Sequence, residues 1–411
     1  MKAALVITNP YIEAEPFQRI LRRLNDRRIQ TSLYFFPRHC GGKETLPPEA
    51  AGLPFRGSPA AGVTLPAKLA SLGHFIMDSL RIRRFLRREN VDLAVMGGDM
   101  TDHYGRLFLD TCRKIGIDVL LLPIAIPAPT VVNPDPDKNI PLAGLLRAVL
   151  KPFGLEKTVF FRGWVLGSYH REAMIAVPDQ DVRRLLCDNG IADDRIIVTG
   201  DPSLDRLFEV RGRSPSSLRS ELDPALGILH EDRIVIFCTE LIQDIYGHDF
   251  LKSVLGKLGR SFDDLPENIR VVIKFHPREP EPIRALYEEI FRGRRYVFLT
   301  NTDLFRLLRS ADLVLGFYSK VLIDAALLDV PVLSLRICDD GAPVRFGRVT
   351  EWTHILSEDE IAGKIKAALF DESFRRSLVS FLSTWRNRAG YLLDGKNCDR
   401  VTELIVQRLH A

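Results

Sequence analysis

Three short stretches set polar residues where an α/β enzyme would use them. In VVIKFHPRE, 271–279, an apolar run ends in His276, Pro277, Arg278 and Glu279. Val271-Val272-Ile273 reads as a buried strand, and Pro277 cannot continue a ladder, so His276 stands at the strand's carboxyl end. Ligands of open α/β sheets sit outside such ends. There His276 can hydrogen-bond a phosphate or a nucleotide's sugar, with Arg278 adding charge. The plainer alternative is a histidine bonding a neighbouring carbonyl, with Arg278 paired to Glu279 or Glu281. In ADLVLGFYSKVLIDAALLDVPVLSL, 311–335, a strand ends in Gly316, Ser319 takes a helix N-cap position, and Asp324 lies five residues further on. The helix start, Ser319 and Lys320 could grip a phosphate while Asp324 accepts from a sugar hydroxyl. The same residues also read as an ordinary capped unit with a surface acid. In GGDMTDHYG, 97–105, Asp99, Asp102 and His103 lie between a strand and a helix. A carboxylate or imidazole there can take the proton that an acceptor hydroxyl loses. Asp99 is the first choice and His103 the second, the alternative being that Asp99 or Thr101 caps the helix.

The elements that must hold these groups alternate. KAALVIT, SLYFF, VDLAVMGG, DVLLLP, AMIAV and RIIVTG read as strands in the first half, and RIVIFCT, RVVIKFHP, YVFLT, ADLVLGF and VPVLSL in the second. Helical stretches fall between most of them, at 15–28, 66–89, 104–115, 178–190, 249–258, 280–292, 302–309 and 319–328. Such alternation means parallel sheets covered on both faces, and eleven strands in two runs predict two sheets. The Gly-, Pro-, Ser- and charge-rich segment 209–233 reads as the link between them. The last segment, NCDRVTELIVQRLHA, is a helix with Val401, Leu404, Ile405 and Leu409 on one side.

Composition narrows the class. The net charge of +4 suits an anionic ligand or membrane surface without demanding nucleic acid. Cysteines at 40, 112, 187, 238, 338 and 398 form no CxxC pair, which argues against a zinc site or disulfide framework and for a reducing cytoplasm. MKAALVITNP reads as a first strand rather than a signal peptide, and no apolar run reaches the ~18 residues of a membrane helix. The sequence holds no GxGxxG and no Walker loop, which sets aside nicotinamide enzymes and P-loop NTPases.

Several of these pieces, in this order, resemble nucleotide-sugar enzymes of the two-Rossmann-domain GT-B class. DDRIIVTGDPSLDRL, 193–207, resembles the strand and turn closing the first domain of UDP-N-acetylglucosamine 2-epimerases. IKFHPRE resembles the Lys/His-Pro turn of those epimerases, of the CDP-glycerol glycerophosphotransferases, and of the capsule sialyl- and Kdo-transferases. The FYSK start of the 319–328 helix is nearer the glycerophosphotransferase pattern, and LLDGKNCDRVTELI, 392–405, is similar to a closing turn and helix these groups share. VDLAVMGGD resembles the epimerases' Gly-Asp turn. Two departures stand out: no acid follows DVLLLPIAIPAP, and CTELIQDIYGHD, 238–249, places Glu240 where a basic loop would grip a diphosphate.

The resemblance implies an α/β fold of two Rossmann-like doubly wound domains facing across a cleft, 1–210 and 228–387, with 388–411 crossing back onto the first. It implies a donor site of His276, Arg278, Ser319, Lys320, Asp324 and Gly200, with Asp99 or His103 as base and no metal or cofactor beyond the nucleotide-sugar. The expected activity is glycosyl transfer from a nucleotide-sugar donor to a cell-envelope glycan or lipid-linked acceptor. The alternatives are UDP-N-acetylhexosamine 2-epimerisation, hydrolysing or not, glycerophosphotransfer, and non-catalytic nucleotide-sugar binding. Leu142, Leu145, Leu146, Val149, Leu150 and Phe153 at helical spacing in 141–155, and five arginines in 80–89, suit a peripheral contact with the inner face of a membrane. A buried helix and a solvated basic face are the plainer readings of those two stretches.

Overall fold

The alternation becomes two parallel sheets in the computed structural model. It describes the chain except residues 9, 37–45, 56–64, 99–102, 125–142, 161–164, 223–226, 230, 243–246, 278, 294, 301, 318, 337–353 and 356. The side chains of 10, 11, 65–72, 103, 143–146, 153, 159, 160 and 389 also lie outside the description. The chain divides into two units, 1–205 with 390–411, and 206–389.

The first unit runs β1 (Lys2–Ile7), α1 (Pro10–Asp26), β2 (Gln30–Phe35), β3 (Ala50–Gly52), α2 (Leu65–Glu89), β4 (Leu93–Met96), α3 (His103–Ile115) and β5 (Asp118–Leu121). It continues through α4 (Ala143–Leu150), a 3-10 turn (Lys151–Phe153), α5 (Glu156–Phe160), β6 (Met174–Val177), α6 (Gln180–Asp188), β7 (Ile196–Val198) and α7 (Leu204–Arg211). The chain returns to it as a closing helix, Asn397–His410. The sheet order is β3-β2-β1-β4-β5-β6-β7, all parallel. Burial on both faces explains the unbroken apolar runs. Ala3, Leu5 and Ile7 meet Phe17, Ile20 and Leu24 of α1 together with Val401 and Ile405 of the closing helix. Ala4 and Val6 face Ile82 and Leu86 of α2 and Leu107 and Phe108 of α3.

The second unit holds α8 (Pro215–Ser220), β8 (Arg233–Cys238), α9 (His248–Asp263), β9 (Ile269–Lys274), α10 (Glu281–Ile290), β10 (Tyr296–Leu299) and α11 (Leu304–Ser310). β11 (Leu313–Gly316), α12 (Lys320–Leu327), β12 (Val332–Leu335), β13 (His354–Ile355), α13 (Ile361–Phe370) and α14 (Glu372–Ala389) complete it. Its parallel order is β10-β9-β8-β11-β12-β13. Both sheets therefore reverse direction once, at β1/β4 and at β8/β11. β3 and β13 are additions to the eleven expected strands. Each is too short to show a periodic signal.

The division falls inside α7, so 209–233 lies in the second unit rather than between the two. It is tied down there. Arg219 of α8 donates to Ser310 O at 2.8 Å and to Asp312 Oδ2 at 2.6 Å, and Arg211 donates to Asp329. Polar composition marked a surface segment that these arginines hold in place.

Candidate functional site at the second sheet's switch point

Open parallel sheets bind ligands outside their carboxyl ends, at the point where strand order reverses. In the second unit that point lies between β8 and β11, with β9 on the far side of β8. Three polar segments converge on it: Thr239 and Glu240 after β8, His276 and Glu279 after β9, and Ser319 to Asp324 after β11. Gly316 ends β11 so close to β8 that a side chain there would sit 3.2 Å from Leu322 Cδ2 and 3.5 Å from Cys238 O.

A small hydrogen-bonded ring fixes the turn that carries His276. The His276 N–H donates to Thr239 Oγ1 at 2.8 Å, and that hydroxyl donates to Glu279 Oε2 at 2.7 Å. The Glu279 N–H returns to His276 O at 2.9 Å. Thr239 and Glu279 are 3% and 4% exposed, so the ring is interior. Hydrogen bonds there keep more of their strength than in water. His276 itself is half-buried at the rim. The ammonium of Lys274 folds under the turn, donating to Phe275 O at 2.9 Å and Thr300 O at 2.8 Å. Its burial lowers the ammonium's pKa, Cys238 opposing and Arg284 assisting.

Beneath the ring lies Tyr287, wholly buried among Phe237, Phe275 and Phe291. Its hydroxyl has no hydrogen-bond partner among the described residues. Burial, then the nearby Glu279 and Glu240, raise its pKa well above the usual value. Burial also pushes the Cys238 thiol up to about 12.

Ser319 is the N-cap of α12 and accepts from the Val321 N–H at 3.3 Å. Asp324 is not the surface acid one reading expected. It is 4% exposed and accepts from Lys320 Nζ at 2.9 Å, one turn back on the same helix. A buried acid thus holds a half-buried lysine at the start of a helix, where backbone N–H groups and the helix dipole also favour an anion.

Of the residues singled out from sequence, His276, Ser319, Lys320 and Asp324 gather at this one edge. Arg278, Asp99 and Asp102 lie outside the described residues, as does the side chain of His103, which opens α3. Gly200 stands in the first unit with φ +85°, and a side chain there would come within 1.8 Å of Asn397 Oδ1. Its surroundings are those of a packing glycine against the closing helix. Thr239 and Glu279 were missed, although β8 had to lie between the strands bearing His276 and Ser319. Among the described residues no His/Cys/Asp/Glu group is arranged to hold a metal ion.

Three comparisons bear on identity. A family model described as UDP-N-acetylglucosamine 2-epimerase matches residues 172–405. No curated protein matches the sequence. Among solved structures, the S. aureus MnaA–UDP complex is 13% identical with a TM-score of 0.64, covering 100% of this chain and 97% of that one. The UDP-GlcNAc 2-epimerase from Methanocaldococcus jannaschii in complex with UDP-GlcNAc and UDP is 16% identical with a TM-score of 0.62, covering 99% and 100%. The wall teichoic acid polymerase TagF is 11% identical with a TM-score of 0.60, covering 100% and 89%. At these identities the structures establish the shared fold, that of the GT-B nucleotide-sugar enzymes.

Proposed function

The chain belongs to the UDP-N-acetylglucosamine 2-epimerase family, and on that premise we propose that it binds a UDP-N-acetylhexosamine at the second unit's switch point and inverts the sugar at C2. The supporting observation is the extent of the family match, 172–405, which takes in every residue from Thr239 to Asp324. Glycosyl transfer, the leading expectation from sequence, gives way, because the family match is to the epimerases and the comparisons support transfer at the level of the fold alone.

In this reading His276 and the start of α12 receive the phosphates, and Asp324 holds Lys320 toward them. The Thr239–Glu279 ring keeps His276 in place. Inversion at C2 requires a proton to leave one face and return to the other. Asp99 and His103 are the candidates for that transfer which the sequence offers. Transfer of a sugar or glycerophosphate to an acceptor is the second reading. It is favoured by the FYSK start of α12 and by Glu240 in a place suited to a basic grip. The expected seat of either reaction is the cytoplasm, where nucleotide-sugars are made.

Incubation with UDP-N-acetylglucosamine alone in D₂O, followed by proton NMR, separates the readings. Epimerisation yields the C2 epimer, as nucleotide-sugar or as free sugar plus UDP, with deuterium at C2. An unchanged donor that is consumed only after a glycan acceptor is added would replace this proposal with the second reading.

A further inference from the structure

Apart from the switch point, one flank of the first unit gathers cations and exposed apolar side chains. We infer that this flank, built on the carboxyl-terminal half of α2, docks on an anionic lipid surface. The outward face of α2 carries Met77 and Leu80, 48% and 45% exposed, followed by exposed Arg83, Arg84, Arg87 and Arg88. Arg83, Arg84 and Arg87 make no ion pair among the described residues. Asp78 on the same helix is buried and accepts from Arg81. Glu89 is engaged by Lys2 at 2.8 Å.

The topology extends the face. α3 packs between α2 and α5. In a parallel sheet each helix runs against its strands, so the last turns of α2 and α3 lie at the same amino edge. The turns confirm it, since the Asp118 N–H donates to Asp92 O at 3.1 Å. Lys114 in the last turn of α3 donates to Gly154 O at 3.4 Å, which brings in the end of α4 and the 3-10 turn with exposed Arg147, Val149 and Lys151. Thus the last turns of α2 and the stretch 147–154, far apart in sequence, lie on either side of α3. Several acids here are already engaged: Asp92 with the Met1 amino group and the Lys2 N–H, Asp118 with Arg408, and Asp110 with Arg113, whereas half-buried Glu156 at the start of α5 makes no ion pair among the described residues.

The apolar residues identify the partner. The large hydrophobics exposed in the described part of the first unit are Met1, Met77, Leu80 and Val149, all carried by α2, α4 and the amino end of β1. A polyanion such as nucleic acid would pair with the arginines and leave these in water. An anionic bilayer offers headgroup charge to the arginines and an acyl boundary to methionine and leucine.

Co-sedimentation of the full chain with vesicles tests this, using phosphatidylcholine alone against the same lipid with one-third phosphatidylglycerol. Binding is expected to the anionic vesicles only and to fall as salt is raised. Arg84→Gln with Arg87→Gln should weaken it about 25-fold, about fivefold for each basic residue at such a surface. Met77→Ser with Leu80→Ser should weaken it roughly tenfold through lost apolar burial. All four side chains are exposed, and the melting temperature of each double variant checks that the fold is kept. Wild type that ignores anionic vesicles at low salt would overturn the inference. So would a serine pair that binds as wild type, or a preference for an oligonucleotide over the vesicles. The salt titration of wild type needs no variant.

Discussion

Thr239→Val isolates the ring that holds His276. Valine keeps the volume and removes only the hydroxyl, which accepts from the His276 N–H at 2.8 Å and donates to Glu279 at 2.7 Å. Both partners lose a hydrogen bond in a place where water does not enter freely, since Thr239 and Glu279 are 3% and 4% exposed. A buried polar group deprived of its partner costs about 1–3 kcal/mol, so the pair should cost roughly 2–5 kcal/mol. For a unit of this size, about 2–4 °C is lost per kcal/mol, which places the fall in melting temperature at roughly 4–20 °C. The turn that presents His276 then loses its anchor to β8. UDP affinity, read by isothermal titration calorimetry below the transition, should drop roughly tenfold, the equivalent of about one lost hydrogen bond. Thr239→Ser keeps the hydroxyl and should restore both readouts to near wild type. A valine variant that melts within about 1 °C of wild type would refute the claim that these bonds are made and buried. A variant that melts low but binds UDP normally would remove His276 from the nucleotide site.

Three further outcomes follow from the same unit and its neighbour. Tyr287→Phe removes a buried hydroxyl that has no partner among the described residues, so stability should stay level or rise by up to about 2 kcal/mol, and a clear fall would mean an ordered water is bound there. Lys274 is held with its pKa below 10.5 in the folded state, so between that lowered value and 10.5 the unfolded chain binds the proton more tightly. Stability of wild type relative to Lys274→Met should therefore rise as pH climbs from neutral toward 10.5, and a flat or falling difference in urea titrations would contradict it. Gly200→Ala puts a methyl group 1.8 Å from Asn397 Oδ1 at φ +85°, and should cost about 2–4 kcal/mol while speeding amide exchange in Asn397–His410; unchanged exchange would count against this packing.

Much of the fold is legible because doubly buried strands cannot hide. A run such as Val271-Val272-Ile273 has no other reading than an interior strand once Pro277 ends it. Ser319 was legible for a similar reason, since a serine between a strand and an apolar helical stripe has a standard capping use. Asp324 looked like a surface acid because sequence shows its helix position but not that Lys320 folds over it. The Thr239–Glu279 bond joins residues forty apart, and nothing in either segment names its partner. Segment 209–233 misled for the converse reason. Its charges read as solvated, yet Arg219 and Arg211 reach acids about a hundred residues away. Function followed the same division: the nucleotide-sugar class was carried by short motifs at strand ends, whereas membership of the epimerase family needed the longer match over 172–405.

The closing helix has a consequence for the order of synthesis. It completes one face of the first sheet, where Cys398, Val401 and Ile405 pack with Leu5, Val95 and Leu120. Asp205, at the end of the unit's first stretch, accepts from the Asn397 and Cys398 N–H groups at 2.8 Å each. On the ribosome, all of 206–389 must be made before that helix exists. At about 5–20 residues per second, the interval is on the order of ten to forty seconds. During it, β1, β4 and β5 keep part of an apolar face uncovered, and Asp205 waits without its amides. The second unit is continuous in sequence and can finish first. A nascent chain stalled before Asn397 should therefore hold a protease-resistant second unit beside a first unit that chaperones still recognise.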